Sequence, residues 1–117
     1  MQPIKRGGNM AKKKAGYPRH YSGVMAEHPK LAEALEGLGK AARKAGPLNA
    51  KTAHLIQLAA AASIRSEGSV HSHTKRALAA GARPEEIVHA LLLLISTIGF
   101  PTVAAALSWV GDVIKRK

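Results

Sequence analysis

Side chains that can transfer protons or hold anions are concentrated between Ser63 and Arg76. If residues 69–80 form a helix, Ser69 and His73 lie four positions apart on one face, and Arg76 follows one turn later. An imidazole can donate or accept a proton near neutral pH, and a guanidinium can bind a carboxylate. The spacing predicts either a small acid–base site or, more simply, a capped and solvated helix face.

Two other kinds of chemistry fit this segment poorly. On one helix, His71 projects to nearly the opposite side from His73, so the two imidazoles cannot share a metal ion. A serine beside a histidine acts as a nucleophile only with an orienting acid and an oxyanion loop, and the sequence identifies neither. We therefore expect no metal site, and Glu67 is the one acid close to these histidines in sequence.

The chain that must position these side chains has 117 residues, enough for one core. Hydrophobic residues make up 46% and aromatic residues 3%, so the core must consist of aliphatic side chains and many alanines, which favour helices. We predict an all-α bundle of about five helices over residues 21–117, preceded by a basic, flexible arm over residues 1–20. Because so light a core is marginal, we also predict a homo-oligomer.

The net charge of +11 is concentrated near the N-terminus, where residues 1–26 contain six basic side chains and no acid. Such an arm can bind nucleic acid or an acidic partner, or it can be a solubilising tail. Aromatic residues do not alternate with the basic ones, which favours the tail. The chain has no cysteine and no apolar stretch behind its first basic residues, so we expect a cytoplasmic protein.

Local start and stop signals predict the helices. Pro29 is typical of the first turn of a helix that ends at Gly46-Pro47, and Asn49 is a suitable N-cap for a second helix. The residues expected on the packing side of this second helix are Leu55, Ile56, Leu58, Ala59, Ala62 and Ser63. After a turn around residues 66–69, a third helix is expected to end at Gly81.

The last two predicted helices contain the most apolar part of the chain. The fourth begins at Pro84 and continues to Ile98, and the fifth follows Gly99. Gly99 and Pro101 divide the apolar run into pieces shorter than the roughly 20 residues that a membrane span needs. We therefore expect no membrane partner and predict that the run is buried in the bundle or in a subunit interface.

The segment His73–Ile87 reads HTKRALAAGARPEEI. It resembles the core of the carboxymuconolactone decarboxylase family, in which an active histidine opens a run of the form HTxxALxAGAxxEEI. The stretch Thr97–Thr102, followed by Ala104–Ala106, is similar to the small-residue helix turn of that family. The resemblance extends over about residues 24–112. It implies an all-α bundle, like alkyl hydroperoxidase D, that assembles as a homo-oligomer, often a trimer or a hexamer.

One branch of this family reduces peroxides with a Cys-x-x-Cys-x-x-x-His motif. By the resemblance, its two cysteines fall on Ser66 and Ser69, its histidine falls on His73, and a glutamate of the preceding helix falls on His54. A serine hydroxyl is far too weak an acid to replace a thiolate, and it forms no disulfide. Cysteine-based peroxide reduction by this chain is therefore excluded on chemical grounds.

The branch without cysteines, typified by the lactone decarboxylase, needs only acid–base chemistry and charge stabilisation. The resemblance therefore implies a cofactor-free reaction on a small carboxylated, lactone-like substrate. The expected catalytic residues are His73, Ser69, Ser66 and His54, and the expected substrate-binding residues are Arg65, His71 and Arg76. The alternative is a non-catalytic binding or assembly protein on the same scaffold, with contacts to nucleic acid or an acidic partner through the basic arm.

Overall fold

The computed structural model describes residues 19–114, with side chains from residue 23 onwards. The predicted flexible arm at residues 1–20 lies outside the described residues, except for its last two positions. Between residues 19 and 114 all regular secondary structure is helical, which confirms the predicted all-α class. Internal contacts divide the chain into two units, Met1–Leu48 and Asn49–Lys117.

The described part of the first unit consists of two helices that contact each other. Helix α1 spans Arg19–Glu27, and α2 spans Pro29–Lys44. Pro29 stands at the start of α2, as predicted, because its fixed φ suits a first turn that needs no backbone N–H donor. The basic side chains Arg43 and Lys44 in the last turn of α2 complement the negative end of the helix dipole.

The second unit contains five helical segments. They are α3 at Ala50–Ser63, α4 at Glu67–Ala79, α5 at Pro84–Leu92, α6 at Ile95–Ile98 and α7 at Phe100–Ile114. Helix α3 packs along α4, and α7 contacts each of the other four segments. The predicted histidine-containing segment therefore lies on a helix that is held from two sides.

The predicted caps of these helices are confirmed. The side-chain oxygen of Asn49 accepts a hydrogen bond of 2.8 Å from the Thr52 N–H at the start of α3. Gly81 follows α4 with a φ of +102°, a left-handed conformation that favours glycine. Pro84 begins α5, where the Glu86 carboxylate accepts a hydrogen bond of 2.9 Å from the Arg83 N–H. These signals are local, so the sequence alone could place them.

The predicted continuous helix from Pro84 to Ile98 is wrong, because the chain turns at Leu93 and Leu94. The Leu94 N–H donates to the Leu91 carbonyl oxygen, and the Thr97 N–H donates to the Leu94 carbonyl oxygen. Both hydrogen bonds span three residues rather than four, so the backbone tightens locally while it keeps right-handed helical angles. The predicted single helix is therefore two segments, α5 and α6.

The core of the second unit is aliphatic and rich in alanine. Leu58 of α3 is fully buried, whereas Ile56, two residues earlier on the same helix, is 52% exposed. Two residues of helix correspond to about 200° of rotation, so these side chains point in nearly opposite directions. The prediction that Ile56 and Ser63 lie on the packing side is wrong. The other large buried side chains are Ile87, Leu91, Val70, Val103, Val110 and Thr74.

Among residues 19–114, no helix is both long enough and apolar enough to cross a membrane. The apolar run from Ile87 contributes Ile87 and Leu91 to the core, and it leaves Leu92 and Leu93 exposed. Part of the run is therefore buried in the bundle, as predicted.

Candidate functional site

The connection between α3 and α4 adopts a tight, strained turn. The Ser66 N–H donates to the Ala61 carbonyl oxygen, and the Arg65 N–H donates to the Ala62 carbonyl oxygen, each at 3.0 Å. This pair of bonds is a Schellman motif, in which glycine is the usual left-handed residue. Arg65 occupies that place with a φ of +57°, a conformation that costs an L-residue about 1–2 kcal/mol.

The strained Arg65 makes a contact that glycine could not make. Its guanidinium Nη1 donates a hydrogen bond of 2.9 Å to Thr102 Oγ1 on α7. Arg65, which was expected to bind substrate, therefore links the α3–α4 turn to the start of α7. The side chain remains exposed, so its predicted role in binding an anion is untouched by this contact.

Ser66 and Ser69 meet at the beginning of α4. Ser66 is the N-cap residue, and its Oγ accepts a hydrogen bond of 3.3 Å from the Ser69 N–H. This bond satisfies one of the amide groups that the first turn of a helix leaves without a partner. The Ser66 hydroxyl thus has a structural task, while the predicted catalytic roles of Ser66 and Ser69 stay predictions.

The histidines at positions 54 and 73 face each other across the α3–α4 contact. The Nδ1 atoms of His54 and His73 lie 3.4 Å apart, and the ring centroids lie 5.5 Å apart with a tilt of 36°. His54 is only 7% exposed, and His73 is half-buried. One ring can donate to the other only if one of the two Nδ1 atoms carries a proton, so this geometry suits a single proton held between the rings.

Arg76 lies one turn beyond His73 on α4 and is half-buried. Burial lowers the pKa of the Arg76 guanidinium from its ordinary value. An arginine nevertheless stays cationic near neutral pH, because its ordinary pKa is far above 7. A partly desolvated cation attracts a carboxylate more strongly than a fully hydrated one does. Arg76 and His73 lie one turn apart on α4, as the sequence predicted.

Gln57 is a candidate site residue that the sequence reasoning missed, on the grounds of its helical position and its buried oxygen. It lies on α3 one turn after His54, and the spacing of three residues places the two side chains on neighbouring parts of one face. Among the described residues, Gln57 Oε1 is the buried side-chain oxygen that has no hydrogen-bond partner. A buried acceptor of this kind requires a donor. The helical spacing from His54 was the signal that could have identified it.

His71 faces away from the paired histidines, as the helical spacing predicted. Its Nε2 atom lies 3.2 Å from Asp112 Oδ2 on α7 and 4.0 Å from Glu67 Oε2 on its own helix. His73, in contrast, contacts His54 on α3. The two histidines of α4 therefore serve different neighbours, and the structure does not bring His71 to the pair.

An ion-pair network fixes α5 against α3 beside this region. Lys51 Nζ lies 3.2 Å from both carboxylate oxygens of Glu86. Hydrogen bonds from the Arg83 N–H and from Lys51 lower the pKa of the Glu86 carboxyl to about 2, so this carboxylate is charged at neutral pH. Arg83 Nη2 also lies 3.3 Å from Glu86. Glu86, the second glutamate of the EEI stretch, therefore holds α5 in position against α3.

The helical fold and the paired histidines define an all-α protein with a candidate acid–base site and no cysteine. The sequence model of the carboxymuconolactone decarboxylase family matches residues 29–112. This chain belongs to that family, because the match covers most of its length, and the resemblance of the His73–Ile87 segment is confirmed. Comparisons with curated proteins and with solved structures found no significant match.

Proposed function

We propose that this member of the family carries out cofactor-free acid–base chemistry on a small carboxylated, lactone-like substrate. The observation that supports the proposal most directly is the distance of 3.4 Å between the Nδ1 atoms of His54 and His73. Two helices hold these rings, and one of the rings is almost fully buried, so the pair is positioned without a flexible loop. Such a pair can retain a proton and transfer it to a bound substrate.

In the proposed reaction, His73 is the proton donor. The substrate carboxylate is attached to a carbon that lies α to the lactone carbonyl or is conjugated with it. The bond between the carboxylate carbon and this carbon breaks, CO₂ leaves, and the electron pair passes into the lactone carbonyl as an enolate. His73 then protonates the carbon that carried the carboxylate. Water returns a proton to His73, and the two imidazoles of His54 and His73 share this proton. The Arg76 cation binds the substrate anion and stays close to the negative charge as this charge moves from the carboxylate to the enolate oxygen, so its attraction is retained in the transition state.

Gln57 has a supporting part in this proposal. Its buried oxygen is satisfied when a substrate hydroxyl or a bound water donates to it. A substrate group that donates to this oxygen gains a hydrogen bond, and a group that accepts can be met by the amide NH₂ of Gln57 after the amide rotates by 180°. The proposed substrate class therefore combines a carboxylate for Arg76 with a polar group near Gln57.

The proposal is tested with matched pairs of lactone carboxylates and their methyl esters. The wild-type protein should bind the carboxylate more tightly than the ester, and Arg76→Gln should reduce this ratio of Kd values by about 10-fold or more, since a charge-assisted hydrogen bond is worth roughly 1.5–3 kcal/mol. CO₂ release distinguishes catalysis from binding alone. Binding without CO₂ release would support the non-catalytic alternative, and an unchanged preference in Arg76→Gln would contradict the assigned anion site.

We also propose that the protein self-associates. Within the second unit, the large apolar side chains of Leu92, Leu93 and Phe100 are exposed, and such side chains gain free energy when they are buried against a second copy. Sedimentation equilibrium at micromolar concentration should therefore give a mass that is a multiple of 12.3 kDa. Leu93→Glu should lower this mass. A wild-type protein that stays at 12.3 kDa would rule out the proposal.

A further inference from the structure

A second group of ligating side chains lies between the start of α4 and the end of α7. Glu67 begins α4, His71 follows one turn later, and Asp112 lies in the last turn of α7. One ligating atom from each residue lies within 4.8 Å of the other two. His71 Nε2 is 3.2 Å from Asp112 Oδ2 and 4.0 Å from Glu67 Oε2. The proposed acid–base reaction uses none of these three side chains.

The charge balance at this cluster differs from that of the rest of the chain. Four acids occur between residues 49 and 114, and two of them, Glu85 and Glu86, form ion pairs with Arg83 or Lys51. The other two, Glu67 and Asp112, converge on a single imidazole in the described structure. Two carboxylates beside one imidazole bring two negative charges to one ligand nitrogen, and such a group of side chains favours a bound cation.

The distances are close to those of a metal site. Zn²⁺ lies about 2.0–2.2 Å from histidine nitrogen and carboxylate oxygen, so ligands in a tetrahedral arrangement lie about 3.2–3.6 Å from one another. The His71–Asp112 distance already has this value. Glu67 Oε2 lies 4.0 Å from His71 Nε2, and the ligand atoms of Glu67 and Asp112 lie within 4.8 Å of each other. The Glu67 carboxylate must move by up to about 1.2 Å to come within 3.6 Å of both, and this side chain is 57% exposed and therefore able to adjust.

We propose that Glu67, His71 and Asp112 bind one divalent transition-metal ion of the Zn²⁺ type. His71 supplies Nε2 and keeps its proton on Nδ1, while each carboxylate supplies one oxygen. The imidazole favours Zn²⁺, Co²⁺ or Ni²⁺ over Mg²⁺ and Ca²⁺, which prefer oxygen ligands. Water occupies the remaining coordination position. The ion joins α4 to α7, and the site is independent of the proposed reaction at His73.

The test uses the full chain without an affinity tag, titrated with ZnCl₂ by isothermal titration calorimetry and by thermal unfolding. We expect one Zn²⁺ ion to bind at a site that needs all three side chains. The Tm should rise by about 10 °C when the Zn²⁺ concentration exceeds the Kd by ~100-fold. Asp112→Asn and His71→Asn should each raise the Kd by at least ~10-fold.

Two matched variants serve as controls. Glu85→Gln removes an exposed acid outside the cluster, and His89→Ala removes an exposed histidine on α5, so both should bind Zn²⁺ as the wild type does. Circular dichroism without metal establishes that every variant is folded. The proposal is overturned if the wild type binds no Zn²⁺. It is also overturned if Asp112→Asn and His71→Asn leave the affinity unchanged, since the ion then binds at other histidines.

Discussion

Replacing His73 with alanine is expected to lower turnover of the proposed carboxylated substrate by about 10²–10⁴-fold, the usual cost of losing a general acid. His73 is half-buried on α4 and approaches His54 to 3.4 Å, so its removal takes away both the proton and the partner that holds it. The loss should appear mainly in kcat, because the enolate that forms when CO₂ leaves must be protonated before a turnover is complete, and alanine cannot supply that proton. The measurement is the rate of CO₂ release at saturating substrate.

The partner residue provides a sharper version of this test. His54→Asn keeps a polar atom near the position of Nδ1, but the asparagine amide neither takes up nor releases a proton near neutral pH. If His54 and His73 act as a pair, the double variant should be about as slow as the slower single variant, because effects within one catalytic unit do not multiply. His89→Ala, on the exposed side of α5, should retain wild-type kcat. Independent, multiplying losses would contradict a shared proton.

The sequence predicted the features that depend on neighbouring residues. Asn49 and Pro84 begin helices and Gly81 ends one, as predicted, and each does so through residues at most three or four positions away. The helical spacing also placed His71 and His73 on different sides of one helix, and the structure gives them different neighbours. These predictions succeed because capping and helical periodicity need no information about the rest of the fold.

Features that depend on tertiary packing were not predictable in the same way. Asp112 lies 41 residues after His71, and Glu86 lies 35 residues after Lys51, so nothing in the local sequence connects them. The left-handed Arg65 was missed because an arginine carries no signal for that conformation, and the contact with Thr102 that accompanies it is long-range. The family resemblance suggested that His54 belongs with His73, but only the structure gives the distance between them.

Truncating a large side chain at the centre of the core should have the largest effect on the free energy of unfolding. Leu58 is fully buried in α3, in a core made mostly of alanine and valine, so few large side chains are available to fill the space. Leu58→Ala should therefore lower the free energy of unfolding by about 2–5 kcal/mol, the range measured for buried leucines. Because small domains are stable by only about 5–15 kcal/mol, this is a large fraction of the total. Urea denaturation measures the change.

Ile56→Ala is the matched control, because it removes an aliphatic side chain of the same size from the same helix at a position that is 52% exposed. Its cost should stay below about 1 kcal/mol, since alanine has the higher helix propensity and little buried contact is lost. Repeating both titrations at two protein concentrations separates loss of core packing from loss of association, because only association depends on concentration. If Ile56→Ala is as costly as Leu58→Ala at both concentrations, the orientation of α3 is wrong. The placement of His54 opposite His73 then fails with it, because His54 and Leu58 lie one turn apart on the same buried side of α3.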